Sequence, residues 1–334
     1  MDSREPLERV EQSTMTFPKV SDWSFRWPRQ LLKVAIGTWL VLLLFSFGIS
    51  ADPDSMPQAA NRPAPSRWSP AALTISSLGH ATLLFNFFGV RAITDPSLYD
   101  RVGLAIDGLT TLGPKRHVPP PLSPSEIGPL DVIFITHAHM DHLDLRSLNA
   151  LPKTATVIAC DQCSDLIAPL GYRDVRELKW GDSTEVKGIK VTALGAKHWG
   201  NRWPKPFGKT RGYNSYLIER MGHRMLLACD SAFTDKFAAL KGNPPEVAVF
   251  SIGAYDPWIG SHANPEQVWQ MFKETGASWL IPIHWGTFRL SREPFDEPLR
   301  RLNAAAGSQS DRIVIQSIGA TWALPEASAR TAAR

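Results

Sequence analysis

The sequence feature that most constrains this chain is a group of metal-binding residue types directly after a short apolar stretch. Residues 131–144 read DVIFITHAHMDHLD, so an apolar strand leads into His137, His139, Asp141 and His142. Two histidines one residue apart point the same way when the backbone is extended, and the aspartate and histidine that follow turn back to supply further ligands. Because three of the nine histidines of the chain fall in this motif, the pattern indicates the beginning of two metal sites and not a solvated loop.

Composition limits the class of protein without deciding the function. The 334 residues are 43% hydrophobic and 20% charged, which suits one α/β domain of about 250 residues with additional segments. The formal net charge of +4 is a mild basic excess, and no basic run lies near the histidine cluster, so we expect no nucleic-acid partner. The three cysteines, Cys160, Cys163 and Cys229, are too few for a disulfide framework and leave the redox compartment undecided.

The N-terminal part of the chain predicts a membrane anchor. Residues 1–30 mix charges of both signs with prolines and show no sustained period, which predicts a disordered segment. Residues 34–51 carry no charged side chain, and at about 1.5 Å per residue they nearly match a hydrocarbon core of about 30 Å. We therefore predict a transmembrane anchor over residues 31–51, followed by a proline-rich linker over residues 52–70.

Charges on either side of the anchor predict its orientation. Arg26, Arg29 and Lys33 precede it, and Asp52 and Asp54 follow it. The positive-inside bias therefore places the N-terminus in the cytoplasm and the remainder of the chain on the far, periplasmic or extracytoplasmic, side. A cleaved signal peptide, which would make the protein secreted, is the second interpretation of this stretch, and a buried core helix is the third.

A folded domain is predicted over residues 71–325, with a short tail at 326–334. Stretches rich in β-branched and aromatic residues predict strands at 73–78, 82–88, 90–94, 156–159, 189–194, 213–218, 225–229, 247–252, 278–283 and 312–316. The best-marked helix covers residues 265–275, because Asn264 is a favourable N-cap and Gly276 suits the end of a helix. Strands followed by alternating strands and helices predict two packed sheets with helices outside.

Three of these predicted strands lead into further metal-ligand types. His198, Asp230 and His284 each come just beyond an apolar strand, and such strand ends converge on one edge of a packed sheet. All the ligand candidates then form two predicted metal sites joined by a bridging carboxylate: His137, His139 and His198 in the first; Asp141, His142 and His284 in the second; and Asp230 between them.

The predicted ligands indicate a hydrolytic metal centre. Nitrogen and oxygen ligands suit two Zn²⁺ ions, with Mn²⁺ and Fe²⁺ as chemically compatible alternatives. A metal pair lowers the pKa of a bridging water toward neutrality, so metal-bound hydroxide is the expected nucleophile, and Asp141 and Asp230 are the expected catalytic carboxylates. Cys229 is interpreted as a small strand-end residue and not as a ligand. The sequence therefore predicts a metal-dependent hydrolase.

Several motifs resemble one family. The ligand pattern is similar to that of the metallo-β-lactamase superfamily, and the resemblance narrows to its N-acylphosphatidylethanolamine phospholipase D branch over about residues 71–300. The motifs that carry it are GHATLL (79–84), TDP (94–96), GPKR (113–116), IGAYDPW (252–258), HANPEQ (262–267) and IHWGTF (283–288). The resemblance implies an αββα four-layer sandwich and a two-zinc phosphodiesterase that cleaves a membrane lipid to an N-acylethanolamine and phosphatidic acid.

The motifs also suggest roles for residues outside the ligand set. His80 and His262 are substrate-side candidates, and Asp95 is expected to orient a ligand imidazole. The expected partners are a membrane phospholipid, as substrate, and the membrane itself, to which the N-terminal helix would attach the domain. Two main alternatives stay open: a lactonase that uses the same nucleophile on an ester carbonyl, and a non-catalytic, membrane-tethered metal-binding protein. A nuclease is a third alternative, which only the basic charge of the chain favours and which the absence of basic runs near the cluster disfavours. The sequence leaves the oligomeric state open.

Overall fold

The computed structural model describes residues 61–106, 110–203 and 208–326, together with residue 59. The strands are β1 (Leu73–Gly79), β2 (Thr82–Phe87), β3 (Val90–Thr94), β4 (Leu104–Ile106), β5 (Thr110–Leu112), β6 (Val132–Ile135), β7 (Thr156–Cys160), β8 (Val175–Leu178), β9 (Ser183–Val186), β10 (Ile189–Leu194), β11 (Ser215–Arg220), β12 (His223–Cys229), β13 (Val247–Ser251), β14 (Trp279–Ile283) and β15 (Thr321–Ala323). The α-helices are α1 (Leu145–Ala150), α2 (Ser164–Ile167), α3 (Pro265–Thr275) and α4 (Glu297–Ala306).

Most strands belong to two large sheets. The first has seven strands in the order β15-β1-β2-β3-β6-β7-β8, and the second has six in the order β14-β13-β12-β11-β10-β9. Strands β3, β6, β7 and β8 pair in parallel, and so do β12, β13 and β14. Parallel strands are normally covered on both faces, which explains why every residue of β6 (VIFI) is apolar and buried.

Three groups of buried residues define the layers. One lies between the sheets and includes Phe134 of β6 and Tyr216 of β11, whose ring centroids are 5.7 Å apart. A second packs α1 and α2 against the opposite face of the first sheet through Leu148 and Ile167. A third packs α3 and α4 against the second sheet, with Phe272 among its members. The order helix, sheet, sheet, helix confirms the predicted αββα sandwich.

Strand direction brings several strand ends to one edge of each sheet. Strands β1 and β3 are both antiparallel to β2, so they run in the same direction, and β6 is parallel to β3. Strands β10 and β12 are both antiparallel to β11, and β14 shares the direction of β12 through β13. Side chains that follow β1, β3 and β6, or β10, β12 and β14, therefore leave their sheet at the same edge.

The secondary structure differs from the sequence prediction in several places. The predicted strand at 312–316 is wrong, because a 3-10 helix ends at Arg312 and only Ile313 forms a β-bridge, with Leu280. The apolar pattern there reflects burial of Ile313 and Ile315 without continued strand pairing. Strands β8 (VREL) and β9 (STEV) are missing from the prediction because half or more of their residues are polar. The three-residue strands β4, β5 and β15 are missing as well. Helix α4 is also missing from the prediction.

The predicted anchor at 31–51 lies outside the described residues, as do the segment 1–30, residues 52–58 and 60 of the linker, and nearly all of the tail. Among the helices that the structure describes, none combines the length and the apolar character that a bilayer crossing requires. The anchor and the domain boundaries at residues 71 and 325 therefore stay predictions.

The cysteines, which the sequence left unassigned, lie at strand ends. Cys160 and Cys163 form a disulfide at the carboxyl end of β7, and Cys229 is a buried free thiol at the end of β12. Burial raises the pKa of the Cys229 thiol well above its usual value, so the group stays protonated near neutral pH. This environment agrees with the interpretation of Cys229 as a small strand-end residue.

We expect Asn264→Ala to lower the free energy of unfolding by about 1 kcal/mol. The Asn264 side chain accepts a hydrogen bond from the backbone N–H of Gln267 and forms a capping box with it at the start of α3. Asp296→Ala is the matched control, because Asp296 occupies the N-cap of α4 without a side-chain cap bond. Urea denaturation followed by circular dichroism measures both changes, and equal losses would contradict this assignment of the cap.

Candidate metal centre

The three-histidine cluster comprises His137, His139 and His198. His137 and His139 follow β6, and His198 follows β10. Nε2 of His137 lies 2.8 Å from Nδ1 of His139, which is 3.4 Å from Nε2 of His198. Burial, reinforced by the neighbouring imidazoles, lowers the pKa of His139 to about 3 and that of His137 well below its usual value. Neutral rings with converging nitrogen atoms suit a divalent metal ion.

The mixed cluster comprises Asp141, His142 and His284, with His80 beside them. Oδ2 of Asp141 is 2.8 Å from Nε2 of His80, and 3.5 and 3.6 Å from Nε2 of His284 and His142. Burial alone would raise the pKa of Asp141, but the adjoining imidazoles hold it well below its usual range. Asp141 is therefore an ionised carboxylate and a candidate oxygen ligand, with ring nitrogens within reach of the same point.

Asp230 lies between the two clusters. Its Oδ2 is 3.0 Å from Nε2 of His142, 3.2 Å from Nε2 of His284, and 3.9 Å from Nε2 of both His137 and His198. The side chain is 1% exposed, yet neither carboxylate oxygen has a hydrogen-bond partner among the described residues. A buried carboxylate is costly unless a cation balances it. The donor set therefore fits two metal ions that share this carboxylate.

The pKa values of two histidines reflect the negative charge at this point. Burial lowers the pKa of His142 and His284, but the Asp230 and Asp141 carboxylates outweigh it. They raise the pKa of His284 to about 9 and that of His142 well above its usual value. The mixed cluster thus attracts positive charge, which a divalent cation would supply.

Asp95 fixes the orientation of His142 from behind. Its Oδ2 accepts a hydrogen bond from Nδ1 of His142 at 2.8 Å, and its two oxygens accept from the backbone N–H and the hydroxyl of Thr136 at 2.8 and 2.6 Å. The same hydroxyl lies 3.0 Å from Nδ1 of His137. With Nδ1 engaged, both imidazoles present Nε2 inward. Asp95 occupies the place expected of it, whereas the role of Thr136, which directly precedes His137, is not predicted from the sequence.

Several residues at this edge adopt a backbone conformation that non-glycine residues rarely use. The φ angles are 54° at His80, 34° at Asp95, 50° at Cys229, 62° at Ala254 and 63° at His284. Each residue lies at the end of a strand or a few residues beyond it. Left-handed backbone costs a non-glycine residue about 1–2 kcal/mol. Packing must therefore hold these strand ends in place, as is common at functional sites.

The two substrate-side candidates occupy different positions. His80 is buried and hydrogen-bonded to Asp141, so it belongs with the mixed cluster. His262, from the loop after β13, places Nδ1 4.0 Å from Oδ2 of Asp230 and its ring 4.9 Å from that of His198. That Nδ1 has no hydrogen-bond partner within the described part of the chain. Of the two, His262 is the better placed to contact a bound molecule.

Two exposed tryptophans adjoin the clusters. Trp199 is 45% exposed, and its ring centroid is 4.0 Å from that of His139. Trp258 is 56% exposed, and its carbonyl accepts a hydrogen bond from the backbone N–H of His262 at 2.9 Å. Neither is predicted from the sequence as a site residue, although Trp199 follows His198 and Trp258 ends the IGAYDPW motif. Trp199 therefore provides accessible apolar surface beside the polar centre.

Comparison with known families agrees with this geometry. Residues 91–285 match a family model described as "Beta-lactamase superfamily domain". The chain therefore belongs to the metallo-β-lactamase superfamily, as its motifs predict, and it is a metal-dependent hydrolase of that class.

Individual relatives show how far the similarity extends. An "uncharacterized protein" of Mycobacterium tuberculosis is 31% identical over 257 residues, which cover 72% of this chain and 66% of that protein. N-acyl-phosphatidylethanolamine-hydrolyzing phospholipase D 1 of Caenorhabditis elegans is 30% identical over 277 residues, or 76% of each chain. The crystal structure of a "possible metal-dependent hydrolase" from Veillonella parvula has a TM-score of 0.61 at 18% identity, covering 76% of this chain and 100% of that one, and shows the shared fold.

We expect Asp95→Asn to weaken metal binding about 10- to 100-fold, because a neutral amide at this position would no longer offer a charged acceptor to Nδ1 of His142. Isothermal titration of the metal-free protein with Zn²⁺ measures the change. Asp131→Asn is the matched control, since the Asp131 carboxylate accepts a hydrogen bond from the backbone N–H of Arg91 at the opposite ends of β6 and β3. Weaker binding in both variants would argue against a specific role for Asp95.

Proposed function

We propose that this chain is a phospholipase D-type phosphodiesterase that hydrolyses N-acylated phosphatidylethanolamine at a centre of two metal ions. The proposal depends chiefly on the buried Asp230 carboxylate, which has no hydrogen bond among the described residues and faces imidazoles of both clusters. An anionic ligand shared by two sets of donors is what a two-metal hydrolytic site requires. Similarity to the C. elegans phospholipase D supports the substrate class.

The donor types favour Zn²⁺ at both positions, with Mn²⁺ and Fe²⁺ as alternatives. The three-histidine cluster would hold one ion, Asp141, His142 and His284 would hold the other, and Asp230 would contact both. When bound, such ions activate water near neutral pH and polarise a substrate oxygen.

The chain's own side chains prepare this centre. Burial would raise the pKa of Asp230, but His284, His142 and His262 hold it well below its usual range, so the carboxylate stays ionised and retains cations. Nδ1 of His262 is buried and has no hydrogen-bond partner among the described residues, and in the proposed complex it would hydrogen-bond a phosphate oxygen of the substrate. Exposed indole surface at Trp199 and Trp258 offers a contact for acyl chains, because aromatic rings favour the boundary between lipid and water.

The proposal extends to the location of the enzyme. The predicted anchor at 31–51 would hold the domain against a phospholipid surface on the periplasmic or extracytoplasmic side, with secretion after signal cleavage as the alternative. The Cys160–Cys163 disulfide favours an oxidising compartment. Neither the mild net charge nor the site gives a reason to expect a nucleic-acid partner.

The full-length, metal-loaded protein should release phosphatidic acid from N-acylphosphatidylethanolamine in mixed micelles, and Asp230→Asn should reduce kcat at least about 1,000-fold, since the neutral amide cannot balance two cations. Mass spectrometry of the lipid products measures both results. Asp235→Asn, an exposed aspartate five positions along the chain, is the control and should retain parental activity.

The same assay separates the alternatives. Turnover of lactones without turnover of the phosphodiester would replace the proposed substrate by that of a lactonase. Metal binding without hydrolysis of either substrate would favour a metal-binding protein without this activity.

We expect His262→Ala to affect catalysis and His80→Ala to affect metal binding. His262→Ala should lower kcat/KM about 100-fold with metal content unchanged, because one hydrogen bond to the reacting phosphate is lost. His80→Ala should lower metal content, because Asp141 loses its 2.8 Å partner. Elemental analysis beside steady-state kinetics measures both, and loss of metal in His262→Ala would show that His262 acts as a ligand.

A further inference from the structure

The GPKR motif ends in a buried cation that the proposed reaction does not use. Arg116 is 2% exposed, and burial lowers the pKa of its guanidinium to about 10. Nη2 and Nη1 donate to the carbonyl of Leu78 at 2.9 and 3.4 Å, whereas Nε has no partner among the described residues. The guanidinium also lies 5.3 Å from the ring centroid of Phe288. A buried charge held by one carbonyl and one aromatic face is costly to keep.

The position of Arg116 connects it to the mixed cluster. The Leu78 carbonyl lies near the end of β1, immediately before the Gly79–His80 turn. The backbone N–H of His80 donates to the Thr287 hydroxyl at 2.7 Å, and the backbone N–H of His284 donates to the carbonyl of His80 at 2.9 Å. His80 and His284, which both have positive φ angles, are therefore joined through their backbones directly beside the arginine.

Two further contacts join the arginine to the same corner. The backbones of Arg116 and Phe288 form an antiparallel bridge, and the N–H of His117 donates to the carbonyl of Thr287 at 2.7 Å. The Phe288 ring, one face of which contacts the guanidinium, lies 5.2 Å from the His80 ring. Arg116 thus joins the end of β1 to the loop after β14, the two segments that carry His80 and His284.

We propose that Arg116 is a positioning residue that holds His80 and His284 in the strained geometry required by the mixed cluster, without contacting substrate. The inference rests on the proposed metal-binding role of Asp141, His142 and His284. It assigns to Arg116 a selective effect on one of the two metal positions, because its contacts reach the mixed cluster and include no residue of the three-histidine cluster among those described.

Cobalt titration of the full-length, metal-stripped protein tests the inference. Co²⁺ binding followed by visible absorption should give two equivalents in the parent, and His284→Ala identifies the one that belongs to the mixed cluster. In Arg116→Gln the Co²⁺ affinity of the mixed cluster should fall about 10- to 100-fold. The Co²⁺ affinity of the other position should stay within about twofold of the parent value. On phospholipid substrate kcat should fall at least tenfold with KM unchanged.

Control variants separate positioning from general stability. Arg91→Gln removes a guanidinium that likewise donates to a carbonyl, that of Pro65 at 2.8 Å, and lies 5.4 Å from the Trp68 ring, but at the start of β3. It should leave both cobalt equivalents unchanged. If Arg116→Gln does not fold, Arg116→Lys and Phe288→Leu carry the test, since each removes part of the contact and should weaken the same equivalent.

Three results would overturn the inference. They are unchanged cobalt binding, equal weakening of both equivalents, and a rise in KM for the phosphodiester alone, which would place Arg116 against the substrate anion. Because cobalt binding needs no substrate, a parent protein without phospholipid turnover would count against the proposed function and not against this role of Arg116.

Discussion

The structure of the site depends on the buried Asp230 carboxylate, which has no hydrogen-bond partner in the described part of the chain. Asp230 follows β12 and reaches a point where imidazoles from both sheets converge. Desolvation of an anion needs a compensating charge, and in the chain without metal ions that charge comes from His142 and His284, whose pKa values the neighbouring carboxylates raise. The surrounding histidines are placed where metal ions could supply that charge, so metal binding and stability of this edge are coupled.

Much of this arrangement follows from sequence patterns. The apolar stretches before His137, His198, Asp230 and His284 are recognisable as strands, and strand direction alone brings their ends to one edge. The sandwich and the grouping of the candidate ligands can therefore be predicted from spacing and residue type. The motif at residues 137–142 narrows the interpretation further, because few other arrangements place so many ligand types next to a buried strand.

Contacts between residues far apart in the chain are harder to predict from the sequence. Asp95 and Thr136 are 41 positions apart, and only the parallel pairing of β3 with β6 brings them together. Arg116 lies in a proline-rich stretch without periodicity, so its burial could not be read from its neighbours. The error at 312–316 has a similar origin: alternating apolar residues report burial, while a strand also needs a partner with free backbone groups.

The contact between Gly79 and Arg116 limits how this chain can vary. A Cβ at position 79 would lie 2.7 Å from Nη2 of Arg116, and Gly79 has a φ of 95°. Any larger residue at position 79 must therefore displace the guanidinium and also adopt a backbone that L-amino acids avoid. Loss of the arginine would remove only the first of these restrictions. The two positions therefore depend on each other unequally. A relative that lacks the arginine should still have the glycine, whereas a relative that lacks the glycine should lack the arginine as well.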